Sequence, residues 1–172
     1  MTRKVVAAFG DRSIAAEAVI VSHGEDDTRK LGRELARLLP DPAVVALIGT
    51  LGSGKTRLVQ GLAEGCGIDP RAVTSPTFVL VQEYLGKRNL YHFDVYRLKS
   101  GSEFVDLGSE EYFARPGICA VEWADRLLEL LPAERLEVFL QVRTAESRTV
   151  RILARHGRYV GCVETLQKLF LS

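Results

Sequence analysis

The sequence has few of the residues that bind structural metals or form disulfides. Its 172 residues include three cysteines and three histidines, which are scattered along the chain. No C-x-x-C pair occurs, so the spacing typical of a zinc site is missing. We expect Cys66, Cys119 and Cys162 to be buried or incidental thiols of a protein in a reducing compartment.

Long apolar runs and an excess of one charge are missing as well. No stretch approaches the roughly 18 apolar residues of a membrane-spanning helix, and the N-terminus lacks the apolar core of a signal peptide. The formal net charge is only +1, so no overall field favours nucleic acid or an anionic membrane. These absences predict a cytoplasmic protein without membrane contact. Hydrophobic residues make up 47% of the chain, which is typical of one globular domain over residues 1–172.

The most informative stretch is a glycine-rich turn between an apolar strand and an amphipathic helix. Residues 44–56 read VVALIGTLGSGKT and contain the G-x-x-x-x-G-K-[S/T] spacing of a phosphate-binding loop, or P-loop. Glycine permits positive φ and carries no Cβ, so successive N–H groups can converge on a phosphate. We expect Lys55 to reach the β- and γ-phosphates and Thr56 to coordinate Mg²⁺. The loop residues around them are Gly49, Leu51, Gly52, Ser53 and Gly54.

The patterns along the rest of the chain predict an α/β sandwich with a mixed sheet. Strands are predicted around residues 17–22, 44–48, 78–84, 90–94, 118–122, 136–142 and 149–153. Helices are predicted from about 26 to 39, from 55 to about 65, in short pieces within 99–115, at 125–131 and in the tail after 161. Residues 78–94 resemble a β-hairpin, because Gly86-Lys87-Arg88-Asn89 has turn chemistry.

Two predicted strands end in a carboxylate, as a P-loop protein needs near its Mg²⁺. Glu122 closes the apolar run 118–121 and matches a Walker-B pattern with Glu in place of Asp; the alternative is an ordinary acid at a strand end. Asp94 closes the other strand. His92 and Asp94 point to the same face on strand periodicity, so either could orient the other or position a water.

Several other groups have both a functional and an ordinary interpretation. Residues 75–77 could sense a γ-phosphate or be only a Ser-Pro turn. Trp123 could stack on a base or belong to the core. The last strands carry a basic strip that could instead be a solvated face. Its members are Arg143, Arg148, Arg151, Arg155 and Arg158.

Taken together, these segments resemble the bacterial TsaE (YjeE-type) ATPase family of tRNA threonylcarbamoyladenosine biosynthesis. The matching pieces are 49–56 (GTLGSGKT), 75–78 (SPTF), 92–98 (HFDVYRL) and 122–123 (EW), in that order. They cover roughly residues 26–155 and leave extensions on both sides outside the resemblance. The P-loop alone would not identify the family, but the combination is specific.

The resemblance implies a fold, cofactors and partners. The fold is a P-loop NTPase-like three-layer sandwich with a mixed, mostly parallel sheet. The cofactors are ATP and Mg²⁺. The partners are the proteins TsaD and TsaB, which transfer the threonylcarbamoyl group to an adenosine of tRNA. Hydrolysis of ATP would reset their complex, so tRNA is met only indirectly.

By position, the resemblance also implies roles for single residues. Glu122 is the carboxylate on the Mg²⁺ side, and Thr56 is its partner metal ligand. Asp94 is the acid of a second switch loop and acts with Lys55 and Glu122 as a catalytic group. The implied nucleotide-binding set is Thr28, near the adenine, Thr77, as the hydroxyl of a first switch loop, and Trp123, together with the P-loop residues.

Two other functions are compatible with the P-loop. A kinase for a nucleoside or small metabolite would need an acceptor pocket and an arginine-bearing lid, for which the basic strip is the only candidate. A non-enzymatic switch would use bound ATP to order residues 74–77 and present a protein surface. The resemblance favours the ATPase over both.

Overall fold

The computed structural model describes residues 13–75 and 80–171 and contains one seven-stranded sheet between two layers of helices. The strands are β1 (Ala16–Ser22), β2 (Ala43–Ile48), β3 (Val81–Tyr84), β4 (Leu90–Asp94), β5 (Ile118–Glu122), β6 (Leu136–Val142) and β7 (Arg148–Ala154). The α-helices are α1 (Glu25–Leu38), α2 (Lys55–Gly65), α3 (Gly101–Asp106), α4 (Ser109–Ala114) and α5 (Val160–Leu171). The three-layer α/β prediction is confirmed.

The sheet is mixed, with strand order β1-β7-β6-β2-β5-β4-β3. Strand β2 lies at its centre and pairs in parallel with both β5 and β6, and β4 extends the parallel part beside β5. The pairs β1–β7, β6–β7 and β3–β4 are antiparallel. Strands β3 and β7 therefore point in the direction opposite to the other five strands of this sheet. This agrees with the predicted mixed sheet in which most strands share one direction. The antiparallel pair β3–β4 confirms the predicted hairpin, apart from residues 78 and 79, which lie outside the described residues.

The central strand separates two hydrophobic cores. Successive side chains of a strand point to opposite faces. Val45 and Leu47 pack under α1, α2 and α5, whereas Val44 and Ala46 pack with Phe93 and the residues of α3 and α4. Because β2 is covered on both faces, its sequence is an apolar run rather than an alternation.

Most predicted elements lie where the sequence placed them, with one difference in helix type. Instead of a helix over 125–131, the chain forms two 3₁₀ turns, Ala124–Arg126 and Leu128–Leu130. Leu127 between them has φ −138°, which leaves the helical path, and its side chain is buried in the second core. None of the helices in the described residues is long and apolar enough to cross a membrane.

Candidate functional site

A cleft of about 610 Å³ opens at the carboxyl ends of the central parallel strands. The P-loop, between the end of β2 and the start of α2, forms its floor. Glu122 and Trp123, at the end of β5, form one wall. The start of α1 and the turn between β6 and β7 lie on other sides of the cleft. The residues on those sides are His23, Gly24, Glu25, Thr28, Ala145, Glu146 and Arg148.

The P-loop backbone has the conformation that its glycines were predicted to permit. Gly52 has φ 75° and Gly54 has φ 102°, both in the left-handed region. Gly49 has a different reason to lack a side chain, since an added Cβ would lie 2.5 Å from the carbonyl oxygen of Leu140. Gly54 caps α2, and among the described residues no side chain bonds to its first N–H groups. These N–H groups are free to bind an anion.

Lys55 lies beneath the loop with its ammonium group against carbonyl oxygens. Its Nζ donates to the carbonyls of Gly49 at 2.7 Å and Thr50 at 2.9 Å. The same atom lies 3.8 Å from the ring centroid of Trp123, a cation–π distance. Burial lowers the pKa of Lys55, and the charges of nearby carboxylates, Glu122 foremost, oppose that shift. A bound phosphate would offer this ammonium group a full negative charge in place of carbonyl dipoles.

Thr56 and Glu122 meet across the cleft floor. The Thr56 hydroxyl donates to the Glu122 carboxylate, at 3.1 Å to Oε1 and 3.4 Å to Oε2. Glu122 is buried and also bonds through Oε1 to Nε2 of His92 at 2.8 Å. A hydroxyl and a carboxylate are the oxygen ligands that Mg²⁺ takes beside nucleotide phosphates. The oxygens of this pair fit the Mg²⁺ of a nucleotide complex. Within the described residues no group of three or more His, Cys, Asp or Glu could hold a metal alone.

Asp94 lies beside Glu122 in the sheet register, but it has different partners. Its Oδ1 accepts from the backbone N–H of Tyr96 at 3.0 Å, and its Oδ2 accepts from the hydroxyl of Ser75 at 3.3 Å. Asp94 therefore connects the end of β4 to the segment that precedes residues 76–79. The hypothesis that His92 and Asp94 orient each other is wrong, because the His92 ring bonds to Glu122. Thr77 and Pro76 lie outside the described residues.

Thr28 lies in the first turn of α1 and is buried. Its hydroxyl is 2.7 Å from that of Ser22 and 3.2 Å from the carbonyl oxygen of Gly24, so it ties α1 to the end of β1. Its methyl group faces Gly54 of the P-loop. The structure thus places Thr28 beside the P-loop, and its expected position near the adenine stays a prediction.

Trp123 has an unusual backbone conformation for its residue type. Its backbone φ is 61°, a left-handed value that residues other than glycine rarely adopt. Its ring packs on Tyr96 with centroids 4.7 Å apart and covers the Lys55 ammonium group. The ring therefore stands at the edge of the phosphate end of the cleft.

The turn between β6 and β7 reaches the cleft through Ala145 and Glu146, which the sequence analysis did not select, and through Arg148, which it named only as part of the basic strip. The Arg148 side chain donates to the carbonyl oxygen of Gly52 at 3.2 Å and to carbonyls of its own turn, including that of Thr144 at 3.1 Å. It holds the turn against the P-loop, where Ala145 and Glu146 line the cleft. The contact joins residues 96 positions apart, so periodicity gives no signal for it.

The remaining arginines do not form a continuous strip over the cleft. Arg151 pairs with Glu17 at 2.5 Å, and Arg155 pairs with Glu137 at 2.7 Å. Arg158 lies 3.5 Å from Glu134. These three side chains thus form ion pairs with carboxylates of the protein. They therefore do not support the arginine-bearing lid that a kinase would need.

With this geometry described, comparison with known proteins is informative. A family model for "Threonylcarbamoyl adenosine biosynthesis protein TsaE" matches residues 22–150. The chain is 41% identical over 132 residues to the tRNA threonylcarbamoyladenosine biosynthesis protein TsaE of Treponema pallidum, an alignment that covers 77% of this chain and 97% of that protein. The TsaE protein of Bacillus subtilis is 40% identical over 144 residues, which cover 83% of this chain and 89% of the relative.

A solved structure has the same fold. The crystal structure of Bacillus subtilis YdiB superposes with a TM-score of 0.74 and 33% sequence identity. The superposition covers 90% of this chain and 96% of the other. Residues 22–150, which the family model matches, include the P-loop, the ends of β4 and β5 and the turn between β6 and β7.

Proposed function

Because the chain belongs to the TsaE family of threonylcarbamoyl adenosine biosynthesis proteins, we propose that it is a Mg²⁺-dependent ATPase acting in the formation of threonylcarbamoyladenosine in tRNA. The observation that carries the proposal is the meeting of Thr56, Glu122 and Lys55 at the N-terminus of α2, where the cap residue Gly54 has no side chain to bond the first N–H groups. The group is suited to bind the phosphates of a nucleotide together with Mg²⁺.

Each residue has a role set by its position. The backbone N–H groups from Gly52 to Lys55 hold the phosphates, and the Lys55 ammonium group turns from its carbonyl partners to the negative charge. Thr56 and Glu122 hold Mg²⁺ through their oxygens. The chemistry that Mg²⁺ supplies in such sites is neutralisation of charge that develops on the transferred phosphate. Asp94 ties the end of β4, beside Glu122, to Ser75 through a hydrogen bond.

The nucleoside part of ATP has room at the other end of the cleft. Residues at the start of α1, Thr28 among them, and residues of the turn between β6 and β7 line the cleft there. In this proposal the partners are the TsaD and TsaB proteins, and tRNA is reached through their complex. The transferred phosphate goes to water.

The test is Mg²⁺-ATP hydrolysis by the purified chain, alone and with TsaD, TsaB and tRNA. We expect slow hydrolysis alone, stimulation by the partners, and loss of both in Lys55→Ala by about two orders of magnitude or more, because transition-state charge stabilisation is removed. Lys168→Ala, an exposed lysine on α5, is the control and should keep full activity.

Three results would contradict the proposal. Undiminished hydrolysis by folded Lys55→Ala protein would show that another site or a contaminant is responsible. Phosphate transfer to a nucleoside or metabolite, with no free phosphate released, would replace the ATPase by a kinase. A hydrolysis rate that no partner changes, with partner binding gated by ATP, would instead favour a non-enzymatic switch.

A further inference from the structure

His92, in the middle of β4, is completely buried, and its ring has one hydrogen-bonding partner among the described residues. Its Nε2 lies 2.8 Å from Oε1 of Glu122, whose side chain is also buried. Its other ring nitrogen, Nδ1, is buried without a hydrogen-bond partner among the described residues. Within residues 13–75 and 80–171, Glu122 is therefore the one polar contact of the ring.

The direction of this hydrogen bond follows from the tautomer that we assign to His92. A carboxylate that binds Mg²⁺ can only accept hydrogen bonds, so we assign the proton to Nε2, whose N–H then donates to Oε1. A neutral imidazole has its lone pair on the other nitrogen, and here that is the unpartnered Nδ1. A buried polar atom without a partner is unfavourable. The ring therefore bonds to the Glu122 carboxylate through Nε2, while its Nδ1 lacks a hydrogen-bond partner among the described residues.

The two oxygens of Glu122 have different surroundings. Oε1 lies 2.8 Å from Nε2 of His92 and 3.1 Å from the Thr56 hydroxyl, whereas among the described residues Oε2 has only the longer contact of 3.4 Å with that hydroxyl. We propose that His92 is a positioning residue for the metal: its Nε2–H holds Oε1 of Glu122, so that Oε2 would remain available to bind Mg²⁺ together with the hydroxyl of Thr56. Hydrogen bonds of this kind orient a metal-binding carboxylate and tune its affinity. The inference rests on the proposed function of the cleft.

The sheet register shows why the histidine can reach its partner. His92 stands beside Ala120 of β5, two residues before Glu122 on the same face. Because the side chain of Ala120 is small, it leaves space on this face of the sheet for the imidazole ring of His92 and the longer side chain of Glu122. A purely structural histidine would fill this space as well, so the test must separate packing from the Nε2–H donor.

Three substitutions at position 92 make that separation. His92→Gln keeps an N–H donor that can reach Oε1, His92→Asn keeps the amide but shortens it, and His92→Leu fills the space without a donor. The first readout is nucleotide binding, monitored through Trp123, the one tryptophan of the chain, which lies in the cleft. Binding is measured with ATP alone and over a range of Mg²⁺ concentrations. The second readout is the Mg²⁺ dependence of hydrolysis.

We expect His92→Leu to require about 10- to 100-fold more Mg²⁺ for the fluorescence change and for hydrolysis, as is typical for loss of a residue that orients a ligand. Binding of ATP without Mg²⁺ should be unchanged. His92→Gln should come within a few-fold of the wild type, and His92→Asn should resemble His92→Leu. If His92→Leu does not fold, the comparison of the two amides decides.

The contrary outcomes are distinct. Equal Mg²⁺ requirements in the wild type and His92→Leu, or in the Gln and Asn variants, would overturn the positioning role. Equal loss of ATP binding with and without Mg²⁺ would assign His92 to packing. A wild-type protein whose nucleotide binding does not respond to Mg²⁺ would overturn the proposed function itself, and the inference with it.

Discussion

At the scale of single residues, the backbone of Trp123 stands out. For an L-amino acid the left-handed region costs about 1–2 kcal/mol relative to the right-handed one, and Trp123 occupies it with φ 61°. The conformation turns the chain directly after Glu122 and brings the indole ring over Lys55 and against Tyr96. Strain of this kind persists where packing holds it and often lies at functional sites.

Comparison of two substitutions at position 123 would measure this strain. We expect Trp123→Gly to be more stable than Trp123→Ala by about 1 kcal/mol, because both lose the ring but only glycine relieves the left-handed backbone. The free energy of unfolding is measured in urea by circular dichroism. At Glu164, exposed within α5, the order should reverse, with Ala more stable than Gly by about 1 kcal/mol. An Ala variant at 123 as stable as the Gly variant would exclude backbone strain.

Residues of the site differ in how far the sequence reveals them. Lys55 and Thr56 were predicted from spacing because the P-loop is a local motif. The bond between His92 and Glu122 was missed because it joins neighbouring strands 30 positions apart. Their pairing depends on which strands are neighbours, and the order of strands in a sheet is not contained in the pattern of either one.

At the scale of elements, the close approach of α1 and α2 depends on glycine. A Cβ on Gly61 would lie 2.1 Å from the carbonyl oxygen of Arg29, and one on Gly32 would lie 2.3 Å from that of Leu58. Both contacts are with backbone atoms, which cannot move alone. The two helices that frame the cleft, one carrying Thr28 and the other Lys55, are thus held at a separation that only these glycines allow.

We therefore expect Gly61→Ala to destabilise the protein by about 2 kcal/mol, since the overpacking cost exceeds the gain in helix propensity of about 1 kcal/mol. Gly161→Ala in α5 is the matched control: nothing lies within 4 Å of its added Cβ, so it should leave stability unchanged or slightly raise it. Both are measured as the shift in urea midpoint. A Gly61→Ala protein as stable as the control would mean that the helices can separate without cost.

Elements with long periodic patterns were predicted best. The apolar spacing of Leu31, Leu35 and Leu38 gave α1, and the run before Gly49 gave β2. The segment 125–131 was less predictable, because Leu127 and Leu131 are buried in the second core by two short turns rather than by one helix. Tertiary packing, not local propensity, decides that conformation.

At the scale of the whole molecule, the two cores share the same strands. Cys66 and Cys162 belong to the core beneath α1, α2 and α5, and Cys119 belongs to the core on the opposite face. The prediction that these thiols are buried is confirmed. The strand order could not be predicted from the sequence. Strand β1 pairs with β7, from Ala16 beside Ala154 to Ser22 beside Arg148, and a pairing between strands so far apart in the chain produces no local sequence pattern.

Because β2 and β5 contribute to both cores, we propose that the chain unfolds as one cooperative unit, in keeping with the single domain predicted from its composition. The cysteines can test this. Burial raises the pKa of Cys66 to about 11 and that of Cys162 to about 12, and it also raises the pKa of Cys119. The thiols of the folded protein should therefore resist alkylation, because the reagent cannot reach the buried side chains and only a small fraction of each thiol is ionised to the reactive thiolate.

The experiment is pulsed alkylation along a urea gradient, with each cysteine followed by mass spectrometry. We expect the three labelling curves to coincide with one another and with the loss of circular dichroism, as two-state unfolding requires. An added cysteine at an exposed position, Ser102→Cys, should be labelled at every urea concentration. Labelling of Cys162 at lower urea than Cys119 would show that the α5 face opens by itself, and the sheet would then hold two units of separate stability.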